Sequence, residues 1–207
     1  MFKYLLVMCA FAIATPAWAD FTGNMGTATK YMHRGVKQSD ADIVFHGGLD
    51  YSGPMGLYAG AWAYTGSIED LDTSEVNAYA GAAYSFSTVS VGFGVIHYER
   101  GSDSPVTSNA EYNLNVSWDA YRLSSYQEDE SKDQYHEVGA NYAFWGDSGL
   151  AMTAGLLQED VSGDETWNYS LGFVKPMPSN VDFEVIFSRQ EVKGNSLTIG
   201  VSRQFGF

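Results

Sequence analysis

The chain has 207 residues, room for one ordinary domain, with 45% hydrophobic, 15% aromatic and only 17% charged residues. This excludes intrinsic disorder, which needs few aromatics and many charges, and disfavours a soluble helical domain, because Ala, Leu, Glu, Lys and Arg do not dominate. The net charge of −14 argues against a nucleic-acid partner, and past residue 19 no run of about 18 apolar residues offers a transmembrane helix.

The first segment reads as an address. Lys3 supplies a basic start and Leu5 to Ala14 a short apolar run. Pro16 then precedes Ala17-Trp18-Ala19, a small-x-small cleavage pattern. Residues 1–19 are therefore expected to be a cleavable signal peptide, and 20–207 a single mature domain. The only cysteine, Cys9, lies in this segment. Met8 precedes it, not the small residue of a lipoprotein signal. Without a disulfide, an exported domain must hold itself together through packing or a sheet.

From residue 20 onward the pattern is alternation with period 2. It predicts twelve strands, near 21–32, 42–51, 57–65, 75–86, 89–99, 109–118, 121–127, 134–144, 149–157, 166–174, 181–189 and 196–207. The seventh has the faintest alternation. In the second strand Ile43, Phe45, Leu49 and Tyr51 share one face, against His46, Gly48 and Asp50. Near the middle, Tyr112, Leu114, Val116 and Trp118 oppose Glu111, Asn113, Asn115 and Ser117. At the end, Leu197, Ile199, Val201, Phe205 and Phe207 oppose Thr198, Gly200, Ser202 and Gln204. Arg203 breaks the apolar face there, and either a side chain reaching to head groups or a local bulge would explain it.

The connectors alternate in character. Those at 52–56, 86–88, 146–149 and 176–180 are short. Those at 33–41, 66–74, 100–108, 128–133 and 158–165 are mostly longer and acidic. The four prolines after residue 19, Pro54, Pro105, Pro176 and Pro178, fall in predicted connectors. Short turns on one side and long loops on the other are the layout of an outer-membrane barrel. The expected fold is all-β: an antiparallel transmembrane β-barrel of about twelve strands with both termini periplasmic.

A soluble sandwich or lipocalin-like barrel would also alternate. Here, however, the polar face is rich in Gly, Ser and Asn and poor in charge. Aromatics sit near the ends of the apolar faces, as in membrane girdles: Tyr51, Trp118, Phe144, Trp167, Phe205 and Phe207. The mean hydropathy of −0.18 suits strands with one face toward lipid and one toward water. The expected partners are outer-membrane lipids and lipopolysaccharide, small solutes, and the barrel-insertion machinery, which would read the last strand ending in Phe207.

Three segments also resemble a known family. They are Tyr31-Met32-His33-Arg34-Gly35-Val36-Lys37-Gln38-Ser39-Asp40, then Gly47-Gly48-Leu49-Asp50-Tyr51, then Gly56-Leu57-Tyr58-Ala59-Gly60-Ala61-Trp62. They resemble the TorF family, whose members are classed as porins by inference. Glu75-Val76-Asn77-Ala78-Tyr79-Ala80-Gly81 is similar to that family's next strand, with Asn77 where Asp is usual. The resemblance is specific over residues 31–81 and loose beyond. It implies an outer-membrane barrel with no established substrate.

No catalytic constellation is visible. His33, His46, His97 and His136 stand singly, without H-x-x-H or H-E-x-x-H spacing. The acidic runs Glu69-Asp70-Leu71-Asp72, Glu128-Asp129-Glu130 and Glu159-Asp160 lack the spacing of a dedicated calcium loop. No cofactor or metal is expected. By parity the lumen receives Lys30, Arg34, His46, Asp50, Asn77, Glu111, Asn113, Asn115, Glu137, Asn141, Asp182 and Glu184. Charge in a lumen needs water or a partner. These residues would either pair and plug the barrel or line a narrow path, and Arg34 is the first candidate for a constriction. The sequence thus points to a porin-like channel for passive diffusion of small solutes or ions. Its excess of acid predicts a mild cation preference. A closed barrel acting in adhesion or as a scaffold through its loops, or an outer-membrane enzyme, are the alternatives.

Overall fold

The computed structural model describes residues 20–34, 36–37, 43–65, 74–101 and 107–206. The predicted signal peptide, the acidic run at 69–72, Pro105 and Phe207 lie outside the described residues.

Twelve strands close into one antiparallel barrel. They are β1 (Asp20–Ala28), β2 (Val44–Ser52), β3 (Leu57–Thr65), β4 (Glu75–Phe86), β5 (Val89–Arg100) and β6 (Thr107–Trp118). They continue as β7 (Tyr121–Glu128), β8 (Gln134–Phe144), β9 (Ser148–Gln158), β10 (Glu165–Met177), β11 (Val181–Gln190) and β12 (Gly194–Gly206). Each strand pairs with its neighbours in sequence, and β1 closes the ring on β12 through Thr22↔Gly206 to Ala28↔Gly200. Closure leaves no edge strand, so every ladder has a partner. Asp20 and Gly206 lie at the rim that carries the short turns. Two of these turns, Ser87-Thr88 and Asp119-Ala120, join strands directly, with Ser87 and Asp119 at φ of 56° and 53°. Two-residue hairpins ask for such positive φ.

All twelve predicted strands are present. The seventh, β7, looks faint in sequence because its outward side carries Ser125 and Gln127 beside Tyr121 and Leu123. Two boundaries differ from expectation by three residues or more. The first strand stops at Ala28, not 32. There the Thr29 N–H donates to the Ile199 carbonyl (2.9 Å), and the Ile199 N–H donates to the Thr29 hydroxyl (3.1 Å). The side chain replaces a ladder carbonyl, and the chain leaves the sheet. The tenth strand runs on through Pro176, expected in a connector. β9 reaches only as far as Gly149 opposite Val174, so Pro176 has a strand partner on one side alone, at Asp182. Proline is tolerated at such an edge. The register is unbroken through Val181↔Arg203 and Met25↔Arg203. That removes the bulge and leaves Arg203 on the outward face.

The apolar side chains face out. Leu114, Val138 and Leu197 are 51%, 54% and 52% exposed, while the inward Asn77 and Glu111 are each 8% exposed. The barrel is inside-out relative to a soluble one, with an apolar jacket about a polar interior. Of the predicted girdle aromatics, Tyr51, Trp118, Phe144 and Phe205 face out near the short-turn rim, and Trp167 near the opposite rim. Phe86 and Trp145, not singled out in the sequence, join the short-turn rim at 86% and 91% exposed.

Candidate functional site

The interior is built from inward side chains and from the connector between β1 and β2, which turns into the barrel after Thr29. Met32–His33 and Val36–Lys37 form a two-stranded ladder, and Arg34 stands at its tip, directly after His33, at φ 50°. Val36–Lys37 lies against β11. On the other side, Tyr31 packs its ring 3.9 Å from that of Tyr64 and 5.1 Å from that of Trp62, both on β3.

From this tip Arg34 reaches the wall formed by β5 to β8. Its Nη1 and Nη2 donate to the two oxygens of Glu111 at 2.8 and 2.5 Å. Its guanidinium carbon lies 4.0 Å from the centre of the Tyr126 ring and 4.8 Å from that of Tyr135. The Tyr98 hydroxyl donates to the same Glu111 carboxylate at 2.7 Å. The two charged side chains are only 16% and 10% exposed. A fork-shaped pair with aromatic faces is among the strongest contacts a guanidinium makes.

The predicted lumen residues divide into two groups. Arg34, Asn77, Glu111 and Glu137 join a bonded layer toward the long-connector rim. Arg100 pairs with Glu75 and donates to Asn109 (2.9 Å), which donates to Glu128 (2.9 Å). Asn77 donates to Glu75 (2.9 Å), and Arg122 pairs with Glu137 at 2.5 Å. Tyr64, Tyr98 and Tyr135 fill the gaps and are buried. The second group surrounds a cavity of about 430 Å³ along β11, β12, β1 and β2. It is lined by Lys30, His46, Asp50 and Glu184 of the predicted set, with Trp62, Tyr31, Asn24, Thr198 and Gln204 among its other walls. Asp50 accepts a hydrogen bond from Tyr79. Asp182 shares the Glu184 face of β11. Neither Asp50, Asp182 nor Glu184 has an ion pair with a described cation. Asn113 and Asn115 bond to one another (2.9 Å) on β6 below Glu111, and Asn141 takes the inward register of β8, two steps of two beyond Glu137.

Sequence reasoning missed Glu75, Arg100, Arg122 and the inward tyrosines. On β3 the aromatic face points in, with Tyr58, Trp62 and Tyr64, and the outward face is Ala59, Ala61 and Ala63. Hydrophobicity alone assigns such a strand backwards. The usable signal is glycine: a Cβ at Gly60 would collide with the Tyr79 ring, and one at Gly155 with the Tyr135 hydroxyl. Inward glycines mark where large inward rings lie.

His33 belongs to the inserted connector, outside the spanning strands, with its ring edge-on to Tyr98 at 5.9 Å. Burial, and next the charge of Arg34, push its imidazole down to about 3, against about 6.5 when free. Docked, it is neutral; undocked, it takes a proton below about pH 6.5. The docked connector therefore loses stability as pH falls from there toward 3, by on the order of 2 kcal/mol at pH 5. The expected result is a conductance that rises between pH 7 and 5 in the wild type and stays level in His33→Asn. Equal pH profiles in bilayer recordings would discard this role for His33.

Residues 13–204 match the model of Gcw_chp, a bacterial protein family of unknown function. The chain belongs to the Gcw_chp family. The matching model bears this name and not that of the TorF family, which residues 31–81 resemble. No curated protein matches the sequence. Solved structures do resemble this Gcw_chp barrel. The KdgM porin superposes with a TM-score of 0.65 at 11% identity, over 90% of this chain and 99% of that one. A KdgM porin in complex with disordered oligogalacturonate gives 0.65 at 10% identity, over 90% and 99%. The NanC porin gives 0.59 at 13% identity, over 88% and 98%. At such identities the likeness establishes the fold: this Gcw_chp chain has the closed twelve-stranded barrel seen in outer-membrane porins.

Proposed function

We propose that the protein is an outer-membrane channel for passive diffusion of small solutes, with a mild preference for cations. The observation that carries this is the cavity of about 430 Å³ beside the inserted connector, walled by Asp50 and Glu184, which pair with no cation among the described residues, inside a barrel with an apolar jacket. A carboxylate-lined path attracts cations and repels anions. A polyanion such as the oligogalacturonate of the KdgM complex would meet Asp50, Asp182 and Glu184. The TorF resemblance over residues 31–81 supports the porin reading. Export through residues 1–19, contact of the girdle aromatics and acidic loops with lipid and lipopolysaccharide, and insertion guided by the strand leading to Phe207 belong to the same proposal.

Planar-bilayer recording of the purified protein tests it. The expected result is discrete conductance steps with a reversal potential on the cation side in a salt gradient. Asp50→Asn with Glu184→Gln should bring that potential toward zero. Absence of steps above the empty bilayer, or anion selectivity in the wild type, contradicts the proposal. The filled layer of Tyr64, Tyr98 and Tyr135 favours one second reading, a barrel closed at rest that acts through its loops. Under that reading, conductance is absent until the connector is altered.

A further inference from the structure

The Arg34 contact has two unequal sides. Glu111, Tyr98, Tyr126 and Tyr135 all stand on wall strands that pair continuously from β5 to β8. Their backbone positions are set by this pairing and not by the connector. Arg34 comes from the tip of the connector's short ladder, and as a non-glycine residue at φ 50° it occupies a region that L side chains avoid. The wall therefore presents a formed receptor, and the connector supplies its occupant. The receptor has both oxygens of one carboxylate facing the two terminal nitrogens of the fork, a tyrosine hydroxyl fixing that carboxylate, and two rings within 5 Å of the guanidinium carbon.

We infer that this wall site is a solute subsite for guanidinium compounds, and that Arg34 is its built-in competing occupant. The chemistry selects this class closely. A planar fork can bond both carboxylate oxygens at once and still lie against aromatic faces, whereas an ammonium is a compact, strongly hydrated point charge that cannot do both. A solute carrying a guanidinium group and entering from the long-connector rim meets a site already shaped for it once the Arg34 side chain is displaced. The inference rests on the channel reading for its physiological role. The site itself is testable without conductance.

The test uses the full barrel in detergent with Arg34→Gly. Glycine accepts the φ of the tip, and Tyr31 on Trp62 and Tyr64 still anchors the connector. Methylguanidinium is titrated by calorimetry, with methylammonium as the matched control. The expected result is saturable methylguanidinium binding to Arg34→Gly, at least tenfold weaker in the wild type, where Arg34 competes. It should also be at least tenfold weaker in Arg34→Gly/Glu111→Gln, and methylammonium should bind far more weakly than methylguanidinium. In bilayers the same cation should block the Arg34→Gly channel. Heat-modifiable gel mobility verifies that each variant is folded. Equal binding of the two cations, or binding unchanged by Glu111→Gln, overturns the subsite. Binding as expected with no conductance in any variant keeps the subsite and overturns the channel.

Discussion

Arg34→Gly is expected to raise single-channel conductance several-fold over the wild type. Eight-stranded barrels are filled by their own side chains and barrels of about sixteen strands hold an open channel. With twelve strands, the proposed channel function makes the connector decisive. In the wild type the layer at Arg34 is occupied by its guanidinium, the Tyr126 and Tyr135 rings and the Glu111 carboxylate. Glycine at the tip empties the centre of that layer and leaves the wall intact. The same substitution exposes the Glu111 carboxylate to incoming water, which softens the loss of its partner. Glu111→Ala is the harsher change. It leaves Arg34 charged between two rings with no carboxylate, and breaking a buried pair from one side costs about 3–5 kcal/mol. Glu111→Ala should therefore lower the midpoint of heat-modifiable unfolding more than Arg34→Gly does. Unchanged conductance in Arg34→Gly would show that the path never passes the connector.

The second large effect concerns the jacket. Leu114→Arg on β6 is expected to abolish stable insertion, while Asn113→Arg, one residue away, is tolerated. Leu114 is 51% exposed on the outward face. For a soluble barrel, arginine there would be a benign surface change. Facing lipid near the midplane it costs about 2–4 kcal/mol. Asn113 shares the inward face of Glu111, where an arginine meets water and the carboxylates of the lumen. The ratio of folded, heat-modifiable barrel in the two variants reads the difference. Equal yields would argue that the outward face meets water.

The strands were legible because every one of them separates two solvents, and period-2 alternation records that separation directly. Inward positions with charged or amide side chains could be assigned by parity for the same reason. Three things were not legible, each for a local cause. The break after Ala28 depends on the Thr29 hydroxyl replacing a ladder carbonyl, and threonine looks like an ordinary strand residue. The face of β3 reads backwards, because alanine outside and Tyr58, Trp62 and Tyr64 inside invert the usual hydrophobic contrast. The Arg34–Glu111 pair joins residues 77 apart in the chain. The connector's turn into the barrel brings the two together, and no local pattern carries that distance. Arg122 was hidden by the faint alternation of β7, and Arg100 by its place at the last residue of β5, where strand and loop compositions overlap.

The central claim is a polar lumen within a lipid-facing jacket, and a thiol-accessibility scan along β6 tests it most directly. Cys9 is the only cysteine of the chain, so residues 20–207 provide a background free of other thiols. Single cysteines at positions 112 to 117 would be exposed in membranes to a charged, water-soluble methanethiosulfonate reagent. The account predicts that cysteines at Asn113, Asn115 and Ser117 react while those at Tyr112, Leu114 and Val116 do not. Fast reaction at positions 112, 114 and 116, with 113, 115 and 117 protected, would contradict it.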